Sequence, residues 1–172
     1  MQPILPIGEQ LRSLGFAVDT REDAPLCRWV HREIVLDVMP LNEDILGFSN
    51  RWYGAAVEAA VSRLIAEDLE IRMVTAPFFL ATKFEAFHGR GKGDYFSHDL
   101  EDIIAVVDGR ETLRDEVRGE SQQLRVYISD QAERLLASPK FLDALPGLVL
   151  PDAVSQSRID IILERLRALA TV

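Results

Sequence analysis

The segment APFFLATKFEAFHGRGKGDYFSHDLEDIIAVVDG, residues 76–109, holds the clearest patterns in this 172-residue sequence. Leu80, Phe84 and Phe87 recur at helical spacing, which predicts a helix with one apolar face. Ser97 is a favourable N-cap for a second helix, and acidic residues follow it where the helix dipole favours them. The apolar stripe of the second helix is formed by Leu100, Ile103, Ile104 and Val107. The segment therefore predicts two amphipathic helices joined by a glycine-rich loop.

The loop between these two helices combines glycines with cations. Three glycines alternate with other residues within His88–Asp94, and glycine allows the backbone to present N–H groups to an anion. Lys83, Arg90 and Lys92 are expected to converge nearby, which suits a phosphate. The loop is not a Walker loop, because the pattern Gly-x-x-x-x-Gly-Lys-Ser/Thr is absent. The alternative interpretation is a solvated turn that binds no ligand.

Two aspartates lie at the edge of the apolar stripe of the second helix. Asp99 and Asp102 are three residues apart, so both lie on one flank of that helix. Asp99 is placed to meet a cation from the preceding helix, and Lys83 is the natural partner. A structural ion pair explains this placement as well as a catalytic role does.

Asp37 is the sharpest signal at a single residue. It lies in the apolar run IVLDVM, residues 34–39, and a period of two places it on the same face as Val35 and Met39. A buried carboxylate costs several kcal/mol unless it is paired, hydrogen-bonded or bound to a metal. The alternative is an aspartate at a strand end that points into solvent or holds a neighbouring loop.

Strand patterns surround Asp37. Residues 26–31 and 33–39 are so close together that only a tight hairpin can join them. Residues 51–66 fit either one helix or a short helix followed by a strand that pairs with residues 69–74, and we prefer the second interpretation. The first half of the chain is therefore expected to contain a small sheet.

Helical spacing returns from Glu111 to the end of the chain. Together with the sheet, it predicts an α+β fold. Residues 1–110 are expected to form the core, with a small mixed sheet, and residues 111–172 a helical C-terminal extension.

Composition narrows the function classes. The net charge of −9 argues against broad binding to nucleic acid, and the single cysteine excludes an internal disulfide or a multi-cysteine zinc site. No run of 18 apolar residues occurs, so no membrane span is predicted. The first six residues lack the features of a signal peptide, which makes a cytoplasmic protein the default expectation.

Several segments resemble one known family. The most specific are APFFLATKFEAF at 76–87, RGKGD at 90–94 and SHDLEDI at 97–103, with LDVMP at 36–40 and ILGFSNRWY at 45–53 before them. Over about 100 residues the chain is similar to bacterial polymerase-β-like nucleotidyltransferases related to abortive-infection toxins.

The resemblance implies an activity and a site. Members of the family transfer a nucleoside monophosphate from a nucleoside triphosphate to a hydroxyl of an acceptor, which is an RNA such as tRNA or a protein. Three carboxylates hold two Mg²⁺ ions in such sites. Asp37 matches the third carboxylate and so a metal ligand, Lys83 the lysine that faces the triphosphate, and Asp99 the acidic residue that follows. By this resemblance the catalytic residues are Asp37, Lys83 and Asp99, with Arg90 and Lys92 as further phosphate ligands.

The sequence departs from the family before Asp37. A Gly-Ser turn and an Asp-x-Asp pair are expected there, and the preceding 36 residues contain neither. The chain is therefore expected to begin after that motif and to lack part of the carboxylate set. Two functions stay open: a nucleotidyltransferase when complete, or a catalytically inactive domain of the same fold that binds a nucleotide or a partner. A third, weaker interpretation is a helical scaffold.

The missing motif also bears on assembly. Without the strand that carries it, the strand at Glu33–Met39 is expected to leave one edge unpaired. Such an edge tends to pair with another chain, so we expect a homodimer.

Overall fold

The computed structural model describes residues 4–39, 41, 50–89 and 91–172. Its contacts divide the chain into two compact units, Met1–Ser49 and Asn50–Val172. Both units contain helices and strands, so the predicted α+β class is confirmed.

The first unit contains one described helix and a three-stranded sheet. These elements are α1 (Ile4–Ser13), β1 (Ala17–Val18), β2 (Arg28–His31) and β3 (Ile34–Asp37). The predicted tight hairpin is confirmed, since only Arg32 and Glu33 separate β2 from β3. The strand order is β1-β2-β3 and both pairings are antiparallel. Among the described strands of this unit the expected mixed sheet is not observed, since both pairings are antiparallel. The two-residue connection between β2 and β3 allows only that pairing.

The second unit begins with a short helix and a hairpin. These are α2 (Tyr53–Glu58), β4 (Val61–Ala66) and β5 (Leu69–Met73). The preferred interpretation of residues 51–66, a short helix followed by a strand, is confirmed. The two strands pair only with each other among the described residues, and each of their residues is exposed.

The remainder of the second unit is helical. It comprises α3 (Ala76–His88), α4 (His98–Gly109), α5 (Leu113–Arg118), α6 (Gln122–Leu136), α7 (Pro139–Ala144), a 3₁₀ turn (Leu145–Leu148), α8 (Ala153–Gln156) and α9 (Ile159–Leu169). Ser97 occupies the N-cap position of α4, although its hydroxyl makes no capping hydrogen bond. None of the described helices combines the length and apolar character needed to cross a bilayer.

One hydrophobic core joins the helices before and after residue 110. Its fully buried members include Leu80, Phe84, Leu100, Ile103, Leu124, Ile128, Phe141 and Leu166. Four of these eight residues come from the C-terminal helices: Leu124 and Ile128 from α6, Phe141 from α7 and Leu166 from α9. The residue-110 boundary of the expected extension therefore lies inside a shared core, and the contacts divide the chain at Ser49–Asn50 instead.

Candidate functional site

Lys83 lies between two carboxylates, at the contact between α3 and α4. Its Nζ donates to Asp99 Oδ1 at 3.2 Å and lies 2.5 Å from Asp102 Oδ2. The exposed fractions of the three side chains are 23% for Lys83, 7% for Asp99 and 46% for Asp102. The expected pairing of Lys83 with Asp99 is confirmed. We call these three residues the Lys83 cluster.

The packing of α3 fixes this cluster. Leu80, Phe84 and Phe87 are buried along one side of the helix, as their spacing predicts, and this leaves Lys83 at the edge of the buried face. The apolar stripe of α4 places Asp99 and Asp102 opposite. The Lys83 ammonium also lies 5.6 Å from the centre of the Phe79 ring, a favourable cation–π distance.

The electrostatics of the cluster keep Lys83 charged. Burial alone would lower the pKa of Lys83, but hydrogen bonds and charge from Asp102 and Asp99 outweigh it and raise the pKa above its usual value. The site thus presents an ammonium whose charged form is stabilised by two carboxylates.

The glycine-rich loop uses its amides differently from the sequence expectation. Gly89, Gly91 and Gly93 donate their N–H groups to the last carbonyls of α3, on Glu85, Ala86 and Phe87, at 2.9–3.0 Å. A helix leaves its last four carbonyls without intrahelical partners, and the loop supplies three of the missing donors. These glycine N–H groups therefore cap α3 and do not form an anion-binding nest.

Of the two other cations predicted to bind a phosphate, Lys92 lies within the described residues and Arg90 does not. Lys92 is exposed in the loop and has a left-handed backbone with φ of 50°. Arg90 lies outside the described residues. The structure thus brings Lys83 and Asp99 together and places Lys92 in the loop that joins their helices, while Asp37 belongs to the first unit.

Asp37 lies at the end of β3, on a strand that is exposed along its whole length. Arg28 faces it across the hairpin, and the guanidinium Nε and Nη2 each donate to one carboxylate oxygen at 2.8 Å. These hydrogen bonds lower the pKa of Asp37. The expected burial of Asp37 with Val35 is not found, because Val35 is itself 54% exposed. Asp37 is an ion-paired residue at a strand end.

The described carboxylates do not fit the two Mg²⁺ ions that the resemblance implies. Both oxygens of Asp37 are taken by Arg28, and both oxygens of Asp19 are taken by Arg21 at 2.5–3.1 Å. Within the described ranges, no group of three or more His, Cys, Asp or Glu side chains could hold a metal ion. A cation would have to displace a guanidinium from either carboxylate.

Sequence reasoning did not pair Asp102 with Lys83 and did not identify Arg28, although signals for both contacts were present. Asp102 comes closer to Lys83 than Asp99 does, and the three-residue interval between the two aspartates predicts that both flank the same cation. Arg28 follows from the tight hairpin itself, because a turn at Arg32–Glu33 sets Arg28 opposite Asp37.

Comparison with known proteins finds no family model that matches the chain, no curated protein similar to it and no solved structure that resembles it.

Proposed function

We propose that this chain is a cytoplasmic, nucleotidyltransferase-like protein that binds the phosphates of a nucleoside triphosphate at Lys83. The contact between Lys83, Asp99 and Asp102 carries the proposal, because the same two helices hold the segments with the most specific family resemblance. Lys92 adds a second ammonium in the connecting loop.

The two aspartates have different parts in this proposal. Asp99 is buried, so it holds Lys83 in position from inside the helix contact. Asp102 is about half exposed, and a phosphate oxygen can take its place at Nζ without uncovering the core. Because Asp102 and the ligand compete for one ammonium, the affinity is expected to be modest.

The proposal predicts weak, salt-sensitive binding of ATP that depends on Lys83. Lys83→Met is expected to weaken binding about tenfold, since it removes a charge-assisted hydrogen bond and leaves most of the apolar stem. Isothermal titration with ATP, GTP, CTP and UTP measures the dissociation constants. Raising the salt concentration should weaken the binding of each nucleotide and so raise its dissociation constant.

Lys140→Met is the matched control, because Lys140 is an exposed lysine on α7. Its affinity for ATP should equal that of the unmodified chain. Absence of binding by all four triphosphates, or equal losses in the two lysine variants, would contradict the proposal. Circular dichroism of each variant confirms that the helices are retained.

We further propose that this chain binds the nucleotide without transferring it, which is the inactive alternative for the same fold. The pairing of both Asp37 oxygens with Arg28 supports this alternative. Incubation with labelled nucleoside triphosphates, Mg²⁺ and either tRNA or cell protein should leave no label on the acceptor. Labelling that Asp37→Ala abolishes would instead establish a transferase in which Asp37 leaves Arg28 to bind metal.

Self-association is a further part of the proposal. β3 forms one edge of its sheet among the described strands, and Ile34, Val35 and Leu36 on it are 39–57% exposed. An apolar edge of this kind is expected to pair with the same edge of a second copy. Light scattering over a concentration series should show a dimer of the 19.3 kDa chain. A monomer at high concentration whose β3 amides are protected from hydrogen exchange would contradict the proposal.

A further inference from the structure

The hairpin β4–β5 has one apolar face. Its register pairs Val61 with Met73 and Arg63 with Ile71, so these four side chains lie on the same face. Val61, Ile71 and Met73 are 38–44% exposed, although each would favour burial. The face therefore carries one arginine among apolar side chains that the protein leaves half covered.

This face forms one wall of a groove of about 710 Å³. Val61 and Met73 lie on the hairpin side, and Phe79 of α3 with Ala105 and Val106 of α4 lie on the helix side. Ligand-binding pockets typically measure about 300–1,000 Å³ and combine mostly apolar walls with a few polar groups. The groove has this size and this composition.

Three charged residues line the groove, and Arg63 is the one on the hairpin. Arg110 and Glu116 also line the groove, but they pair with each other at 2.7 Å. Arg63 lies close enough to Glu116 for its charge to help lower the pKa of that carboxyl, but among the described residues its guanidinium forms no direct ion pair. The three charges sum to one positive charge. Because Arg110 and Glu116 pair with each other, the guanidinium of Arg63 can still bind a partner.

The start of α3 adds to this positive potential. Thr75 and Ala76 line the groove, no acidic residue lies in the first turn of α3, and the Thr75 side chain makes no capping hydrogen bond. The partial positive charge of this helix end is therefore not offset by an acid of its own first turn. An anionic group in the groove would be attracted by Arg63 and by the helix end together.

We propose that this groove binds a small amphipathic carboxylate, with its apolar chain between the hairpin and the helices and its carboxylate on Arg63. This ligand class is separate from the nucleotide proposed for Lys83. The guanidinium of Arg63 can donate two parallel hydrogen bonds to a carboxylate, and the apolar walls accept the chain. A neutral amphiphile of equal length would gain only the second contribution.

Octanoate and octanol are the matched pair of probes for the full chain. Titration followed by the methyl NMR signals of Met73 and Val106 should show that octanoate binds more tightly than octanol. Arg63→Gln is expected to weaken the binding of octanoate about tenfold and to leave the binding of octanol unchanged. Arg118 is an exposed arginine outside the groove lining, so Arg118→Gln should change the affinity for neither ligand.

A second variant tests the location independently of charge. Ala105 is exposed on α4 and lines the groove, so Ala105→Leu should fill part of the space and weaken both probes without loss of folding. The proposal is overturned when octanoate binds no tighter than octanol, when neither probe binds, or when Arg63→Gln and Arg118→Gln have equal effects. Binding that survives Ala105→Leu unchanged would also overturn it.

Discussion

Replacing Phe84 with alanine is expected to lower the free energy of unfolding of the second unit by about 3–5 kcal/mol. Phe84 is 2% exposed and lies on the buried face of α3, one residue after Lys83. The substitution removes a large apolar side chain and leaves a cavity that the helices around it can only partly close. Urea unfolding followed by circular dichroism at 222 nm measures the loss.

The chain offers a matched control for this prediction. Phe96 is 67% exposed in the loop before α4, so Phe96→Ala should change the unfolding free energy by no more than about 0.5 kcal/mol. Similar losses in the two variants would show that α3 does not pack on a common core. The placement of Lys83 beside α4 would then lose its structural basis.

Gly91→Ala is expected to destabilise the second unit by about 1–3 kcal/mol, because the loop is too tight for a side chain. A Cβ atom at Gly91 would lie 2.7 Å from the Phe87 carbonyl oxygen, and that atom belongs to the backbone of α3. The backbone would have to move, which would disturb the hydrogen bonds of the loop to the last turn of α3. Urea unfolding again provides the measurement.

Gly54→Ala is the control for Gly91→Ala. An added Cβ atom at Gly54 meets nothing within 4 Å, and Gly54 lies in helix α2. Alanine there should be neutral or should stabilise the protein by about 0.5 kcal/mol, since glycine disfavours a helix. A Gly91→Ala variant as stable as Gly54→Ala would contradict the role of the loop as a tight cap of α3.

The helical part of the second unit could be predicted well from sequence. Leu80, Phe84 and Phe87 recur with the helical period, and a helix that buries one face must show that period. The same reasoning placed Asp99 opposite Lys83, because a flank position next to a buried stripe faces the neighbouring helix. The sequence pattern was sufficient for these helices because the spacing of their apolar residues also determines which face is buried.

Asp37 shows where local pattern did not suffice. An apolar run such as residues 34–39 is typical of a buried strand, but β3 is the edge strand among the described strands of its sheet and is exposed along its length. Burial depends on which elements cover a strand, and the run itself carries no information about that. The ion pair with Arg28, in contrast, depends only on the hairpin register and was accessible from the sequence.

The glycine-rich loop shows a second limit. The sequence of residues 88–94 predicts a loop that interrupts the helical pattern, and the described glycines of this segment lie in such a loop. The N–H groups that were expected to be available for an anion are already used. The sequence does not determine their acceptors, because a phosphate and the carbonyls at a helix end attract the same donors. In the structure, the N–H groups of Gly89, Gly91 and Gly93 donate hydrogen bonds to carbonyls of α3. A phosphate would therefore have to bind to side chains and not to these amides.

The central claim is that a phosphate competes with Asp102 for the Lys83 ammonium. Asp102→Asn removes the competing charge from the exposed side of the cluster, and Glu101→Gln removes the charge of an adjacent acid that pairs with His98 instead. Each variant removes one carboxylate charge from α4, and of the two carboxylates only Asp102 contacts Lys83.

The most direct test is titration of ATP into these two variants and the unmodified chain at one salt concentration. Asp102→Asn is expected to bind ATP about two- to fivefold more tightly than the unmodified chain, as the loss of one half-exposed ion pair implies. Glu101→Gln should bind ATP with about the same affinity as the unmodified chain. Equal affinities in all three proteins, or equal gains in both variants, would contradict the account and assign the Lys83 cluster to holding α3 and α4 together.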